Sequence, residues 1–574
     1  MLRLLIRSVF NLLLFVGLAI IIYTIYKLYS FDHSEFISWI LTKYGKADKT
    51  DLFISDYLPE SRYKLIRMIS WMALIIYCVI FIRYRKSLFN HLEWVRQIFS
   101  SRIIILKNEI AGLPVLEKVL FFVLMGYIIL LRFVLLFKLP FQIDEVNSYL
   151  FFVDKGFLVT AAYYPAPNNH ILYNLVAGVF NLLGFSPELV MKLPAFIISI
   201  FLSVVIFAGI KRKVNYEVAF ITTAIFSTSL HLMYYSVSGR GYILLVLMVF
   251  VLVYQGIKAF SGELIGQNLF LFIMAAVAGF YAIPVFLYPY VSFFTGLILV
   301  LLIKKNYTGI KQVILASVVS VIFVLIVYSP VILFNGLSAL ISNSWVSALS
   351  SKEFHLGLSD YIREVPSFLF GFDLASHYAF ILVVMAGLTF LWVENKWEAG
   401  IIIIAAFLVP FLMLFVQKVL PFVRVWIYLI PVISLLISLW VYYPLESSKY
   451  KRTMIPLITA LLLSFQFSLL NDSFLSKEDD YYKELDSYFS GINHQNGSSV
   501  LITDDAYGIY YRYYVLQNEG NTEILSTMGD SGHTDPKPQI IIIGKQQVFP
   551  IGLDSSFYLK SFENQYITEY RKVK

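Results

Sequence analysis

Residues 119–147 read VLFFVLMGYIILLRFVLLFKLPFQIDEVN. The run Val119–Phe137 is apolar and close to the roughly 20 residues that a bilayer-crossing helix needs. Lys138 and Pro140 close it, and two adjacent carboxylates, Asp144 and Glu145, follow at once. Ionisable groups at such a boundary are costly unless they are solvated or used. The stretch therefore predicts a membrane span that emerges into a polar, acidic turn.

The same kind of run recurs on both sides of it. Apolar segments lie near 5–29 and 68–82, then near 171–185, 190–210, 217–235, 241–260, 268–283, 285–303, 312–334, 377–393, 399–416, 425–443 and 454–470. The segment at 5–29 leads into polar sequence without a small-residue cleavage site, which predicts an anchor and not a removed signal peptide. The whole chain of 574 residues is 59% hydrophobic and 14% charged, where a soluble domain carries about 25% charged residues. Its mean hydropathy is +0.74. A water-soluble enzyme, a disordered chain and a fibrous protein are excluded. The single cysteine, Cys78, excludes an intrachain disulfide and a cysteine-based metal site.

The fold class expected is a polytopic all-α membrane protein, with about 13 transmembrane helices and a small C-terminal α/β domain outside the bilayer. Three parts are expected: a two-helix membrane extension over 1–115, a transmembrane core over 116–470, and the external domain over 471–574. The last part is predicted from a polar helix-like stretch at Asp479–Phe489 and strand-like runs at Ser499–Thr503 and Gln539–Ile543.

Charge orders these parts. Residues 471–574 hold 15 acidic and 9 basic side chains, net −6; the rest of the chain holds 36 basic and 22 acidic, net +14. A basic membrane part with an acidic tail predicts opposite sides of a bilayer, not nucleic-acid binding. Placing the basic segment 83–118 in the cytoplasm puts the acidic pair at 144–145 outside. Lys211, Arg212 and Lys213 are then cytoplasmic only if residues 171–210 cross once, with one piece lying along or dipping into the membrane face. On that count Arg240, Arg424 and the tail fall on the external side.

Five short stretches could carry chemistry. Asp144-Glu145 is either a working carboxylate pair or a solvated helix start. Tyr163-Tyr-Pro-Ala-Pro-Asn-Asn-His170 places Tyr164 and the amides of Asn168 and Asn169 beside His170. These can bind sugar hydroxyls and faces, or form a capped turn with interfacial tyrosines. Lys192 sits in Met191-Lys-Leu-Pro-Ala195 within an apolar run, where it can also simply snorkel. Ser238-Gly-Arg-Gly-Tyr242 and Leu420-Pro-Phe-Val-Arg424 place Arg240 and Arg424 at span ends. A guanidinium donates two parallel bonds and so suits phosphate, though both arginines could instead reach lipid headgroups.

In this order the stretches resemble the GT-C superfamily of membrane glycosyltransferases, in particular its bacterial protein-mannosyltransferase-like and aminoarabinose-transferase-like group. The resemblance covers about 119–470, and Lys192 stands where the family usually has arginine. It implies transfer of a sugar from a polyprenyl-phosphate donor to a glycan, lipid or protein acceptor, with inversion, in a bacterial plasma membrane. It also implies that 116–470 is a GT-C-like catalytic core with its active site on the external face. Asp144 would be the general base or the group that orients the nucleophile, and Glu145 would support it or bind the acceptor. Arg240, Arg424 and Lys192 would bind the donor phosphate, and Tyr164, Asn168, Asn169 and His170 the sugar or acceptor. No cofactor is implied, and no metal cluster is readable, although a divalent cation stays open. The other readings are a polysaccharide polymerase or ligase and a secondary transporter or lipid flippase. An internal repeat and midplane charges, which a transporter would need, are not evident.

Overall fold

The structure is a computed structural model and describes residues 18, 21–23, 25–44, 58–79, 82–83, 85–165, 167–261, 265–341, 348–373, 376–476, 480–491, 499–517, 523–526, 538–545, 547, 549–550 and 553–573. Ten helical stretches among the described residues are long and apolar enough to cross a bilayer. They are Val115–Lys138, Pro187–Lys213, Tyr242–Phe260, Ile265–Ala282, Pro284–Ile303, Tyr307–Asn335, Ser376–Val393, Trp397–Gln417, Val423–Leu445 and Lys451–Leu475. The chain is a multi-pass, mostly helical membrane protein.

Three of the thirteen expected runs are not among these ten single helices of the described residues. The first apolar run, 5–29, lies for the most part outside the described residues. Helix Glu60–Val79 begins with Glu60, Arg62, Lys64 and Arg67, which leaves too short an apolar remainder. The run at 217–235 is a helix broken in two, Tyr216–Thr228 and Leu230–Tyr235, with Ser229 extended between them.

The helices that position the site are Val115–Lys138 (α1), Ile143–Ser148 (α2), Ile171–Leu182 (α3), Pro187–Lys213 (α4), Tyr216–Thr228 (α5), Leu230–Tyr235 (α6) and Tyr242–Phe260 (α7). Helix α3 has 12 residues and so reaches only about 18 Å, well short of the roughly 30 Å hydrocarbon core. It stops at Gly184, whose φ of +78° a side chain would resist. Pro187 at the first turn of α4 then restarts the helix. Residues 171–213 thus hold one full-length helix and one short one.

The break between α5 and α6 leaves backbone carbonyls without helical partners. Arg132 of α1, fully buried, takes one of them: its Nη2 donates to Ser227 O at 3.1 Å and its Nη1 to Ser203 Oγ at 3.2 Å. Below the break, Val218, Ala219, Ile221, Ala224 and Phe226 of α5 pack with Leu202, Ile206 and Phe207 of α4 and Ile243 and Leu245 of α7 in the main apolar core.

Helix α1 has 24 residues, so about 36 Å separates its two ends. Asp144 follows one end. At the other end Lys211 Nζ meets Glu109 Oε2 at 2.8 Å, and Lys451 Nζ meets Glu217 Oε1 at 3.0 Å. The basic clusters at 211–213 and 449–452 therefore share the end of the bundle remote from Asp144.

After the last span comes a five-stranded mixed sheet of order β2-β1-β3-β5-β4. Its strands are β1 (Ser499–Ile502), β2 (Glu523–Ser526), β3 (Ile540–Gly544), β4 (Tyr558–Glu563) and β5 (Ile567–Lys572). β1 pairs in parallel with β2 and β3, while β5 runs antiparallel to β3 and β4. Helices Asp480–Ser490 (α8) and Asp505–Gln517 (α9) pack on it. Strands β1 and β3, apolar but for Ser499 at the start of β1, are buried along their whole lengths.

Candidate active site

Leu139 ends α1 and Pro140 prevents its continuation. Gln142 then caps α2 reciprocally with Glu145: the Glu145 carboxylate accepts the Gln142 backbone N–H at 2.9 Å. This short capped helix fixes where its two carboxylates point. Asp144 is 41% exposed, while Glu145 is buried.

Asp144 Oδ2 lies 2.5 Å from Arg240 Nη1 and 3.5 Å from Arg424 Nη1. Two guanidiniums from distant parts of the chain thus share one carboxylate. The contact with Arg240 is ionic without a well-aligned N–H···O bond, and Nε of each arginine is buried without a partner. The Tyr242 ring lies between them, with each guanidinium carbon 6.0 Å from its centroid. Arg424 also stacks over Phe422 at 4.4 Å.

Arg240 arrives on the tight turn between α6 and α7. Its two glycines are there for close approach: a Cβ on Gly239 would stand 2.7 Å from Met191 Cβ and 3.0 Å from Glu145 Oε1. A Cβ on Gly241 would stand 3.2 Å from His170 Nδ1. The Gly239 backbone N–H donates to Glu145 Oε1. Burial pushes the Glu145 carboxyl above the usual carboxylate range, against the opposing pull of Lys192 and of the two backbone donors. Glu145 therefore fastens the arginine turn to the acidic turn.

Arg424 is held on a 3₁₀ stretch, Val423–Leu429, that follows Pro421. Trp426 anchors it, fully buried, with its indole N–H donating to Tyr361 Oη at 2.6 Å and its ring stacked on Phe411 at 5.7 Å. The Tyr428 hydroxyl, one helical turn beyond Arg424, is buried and has no partner.

His170 caps α3 beside Arg240. Its Nδ1 accepts the Gly241 N–H at 2.8 Å, and its Nε2 stands 3.4 Å from Arg240 Nη2. Burial, and then the charges of Arg240 and Arg424, hold its pKa well below the ordinary histidine value. The neutral ring with Nδ1 accepting must carry its proton on Nε2. Two donors therefore face one another there, and both are free to point at an anion.

The remaining candidates are occupied differently. Asn169 uses its amide to tie the loop to the helices that flank it: Nδ2 donates to Thr160 O and Tyr163 O, both at 2.8 Å, and Oδ1 accepts from Asn174 at 2.9 Å. Tyr164 is buried against Ile171, Tyr328 and Val331. Lys192 Nζ donates to Leu139 O at 2.5 Å and to Glu188 at 2.6 Å. These three side chains are engaged in supporting the turns that carry the other residues, which sequence could not reveal because burial decides it. Asn168 differs, since both atoms of its amide are enclosed and unpartnered. Tyr242 and Gln142 were passed over. Tyr242 ends the quoted Gly-Arg-Gly stretch and was readable; Gln142 accepts a hydrogen bond from Tyr234, which no local pattern signals. Among the described residues, no group of three or more His, Cys, Asp and Glu side chains is placed to hold a metal ion.

No protein-family model matches this chain, and no curated protein matches it. Among solved structures it is similar to the archaeal oligosaccharyltransferase AglB from Archaeoglobus fulgidus, described in complex with an inhibitory peptide and a dolichol-phosphate. The two share 11% identity at a TM-score of 0.44, over 71% of this chain and 65% of the archaeal one, just under two thirds of its length. A likeness at that score assigns no residue and no activity.

Proposed function

We propose that the chain is a GT-C-like membrane glycosyltransferase, moving a sugar from a polyprenyl-phosphate donor to an acceptor hydroxyl on the external face with inversion. The observation that carries this reading is the shared carboxylate: among the described residues Arg240 and Arg424 converge on one carboxylate, Asp144. That leaves one positive charge in excess and two buried Nε donors without partners. A donor phosphate fits this arrangement. It takes Asp144's place on Arg424, the longer and more exposed of the two contacts.

Asp144, freed from Arg424 and still held in place by Arg240, then acts as base. It takes the proton of the acceptor hydroxyl as that oxygen attacks the anomeric carbon. The bond from the carbon to the phosphate oxygen breaks, and its electron pair leaves on the polyprenyl phosphate. The negative charge that grows there is met by Arg240, Arg424 and the Nε2–H of His170. Asn168 lies beside this group and supplies an amide for the sugar or acceptor. Glu145 and Lys192 position rather than react. On this reading 116–470 is the catalytic core, 471–574 an external domain and 1–115 an extension, and the acceptor is a glycan, lipid or protein.

The test is to reconstitute the purified protein in liposomes with a panel of polyprenyl-phosphate sugars. Release of free polyprenyl phosphate is expected for at least one donor, in step with loss of its sugar to an added acceptor. Movement of intact donor across the bilayer with no release would overturn the reading in favour of transport.

A further inference from the structure

The four residues Leu139–Gln142 join the end of α1 to the acidic turn, and side chains from three other segments bind them. Lys192 of α4 donates to Leu139 O at 2.5 Å. Tyr234 of α6 donates to the Gln142 side chain. The third strap comes from the C-terminal sheet: Tyr510 of α9 donates its hydroxyl to Phe141 O at 2.7 Å, across 369 positions of sequence. The Phe141 ring also meets Tyr513 edge-on at 5.5 Å.

The contact extends past the hydrogen bond. Val146 and Leu150, on and just beyond α2, are buried in one apolar cluster with Leu485 and Phe489 of α8, Val500 and Ile502 of β1, and Tyr511 of α9. Asp144 and Val146 are two positions apart on a helix and so project about 200° apart. Asp144 faces the arginines while Val146 faces the sheet. The acidic turn is therefore held between the Arg240 turn on one side and the C-terminal sheet on the other.

We infer that the C-terminal sheet is a positioning clamp for Asp144, and that Tyr510 is the positioning residue through which it acts. The sheet has no need to touch a substrate for this. It sets the direction of α2, and with it the distance from Asp144 to the two guanidiniums, by closing Phe141 O and seating Val146. A phenylalanine at 510 keeps the ring packing and loses only the strap. The inference rests on the proposed role of Asp144 for its kinetic half and stands on geometry alone for its structural half.

The experiment uses the full-length protein in lipid nanodiscs, comparing wild type with Tyr510→Phe, and with Phe141→Leu as a second variant that keeps the backbone carbonyl but removes the ring from Tyr513. Amide hydrogen exchange in peptides covering 141–150 is expected to speed up roughly 3- to 10-fold in Tyr510→Phe, the range expected for one hydrogen bond. Exchange in β1 and β3 is expected to stay at the wild-type rate, which shows that the sheet itself remains folded. In the same preparation kcat is expected to fall by a similar factor, roughly 3- to 10-fold, with KM for the polyprenyl-phosphate donor unchanged. Phe141→Leu is expected to move both readouts in the same direction by less.

Unchanged exchange at 141–150 in both variants overturns the clamp. Faster exchange with unchanged kcat overturns the positioning of Asp144 and leaves the contact as packing. Faster exchange in a protein whose wild type releases polyprenyl phosphate from no donor supports the clamp while sinking the transferase reading, so the two failures are distinguishable.

Discussion

The two ends of the helical bundle treat charge in opposite ways. At the end remote from Asp144, each cation named has a carboxylate of its own: Lys211 has Glu109 and Lys451 has Glu217. These side chains are 21–24% exposed, and pairs of that kind tie helix ends together at little net energy. At the other end two arginines share Asp144, and His170 beside them stays neutral and adds a donor. Each of those two remote pairs is closed on itself. The Asp144 end is built short of an anion, and a surplus of buried donors is tolerated only where something else supplies the acceptor.

The sharpest way to break this contrast is to remove the shared carboxylate. Asp144→Asn keeps the side-chain shape and deletes both the base and its charge. Release of polyprenyl phosphate is expected to fall about 10²- to 10⁴-fold with membrane insertion unchanged. Wild-type turnover in that variant would take Asp144 out of the chemistry. Next comes Arg424→Ala, expected to lose about 10²- to 10³-fold in kcat/KM for the donor. The acceptor KM should move far less, and equal losses on the two substrates would mean that the surplus charge does not serve a phosphate.

His170→Asn sharpens the comparison further. The asparagine oxygen can replace Nδ1 as acceptor for the Gly241 N–H, while the Nε2–H is lost. A loss of roughly 10-fold in kcat is expected, the scale of one hydrogen bond. Stability should respond to pH in a defined direction. The pKa of folded His170 is depressed, so below about 6.5 the unfolded chain takes up a proton that the folded chain refuses. The stability His170 contributes is complete above that pH and declines as pH falls. Melting curves in one detergent from pH 7.5 to 5 should therefore fall more gently for His170→Asn than for wild type. The smallest effect belongs to the remote end: Lys451→Ala is expected to leave turnover unchanged and to reduce stability by less than about 1 kcal/mol.

Much of this molecule was legible from apolar run length, because a helix in lipid must satisfy its own backbone and so announces itself in sequence. That signal says least about breaks within a run. Residues 217–235 are apolar enough to span, yet Ser229 breaks them, and the break depends on Arg132 from another helix. In the tail the helix at Asp480–Ser490 and the strands β1 and β3 fall where apolar periodicity places them. Helix α9 and strands β4 and β5 do not show up that way, since their tyrosines and charges alternate too weakly to give a period.

The site was legible in part for a similar reason. Asp144, Arg240 and Arg424 each stand at a span end beside Pro or Gly, and charge at a boundary is visible in one dimension. Lys192 carries the same signal and proves to be bound to Leu139 O and Glu188. A lysine that caps a carbonyl and one that awaits a phosphate look alike until their neighbours are known. Asn169 carries three hydrogen bonds that join its loop to the helices on either side, which its sequence does not announce.

Arg132 has a consequence for how the protein comes to be made. Inserted singly, helix Val115–Lys138 would carry a guanidinium into lipid, a burden of up to about 3 kcal/mol on insertion scales. Its hydroxyl and carbonyl partners, Ser203 and Ser227, are translated some 70 and 95 residues later. That burden is lifted once α4 and α5 have followed and supplied the two acceptors.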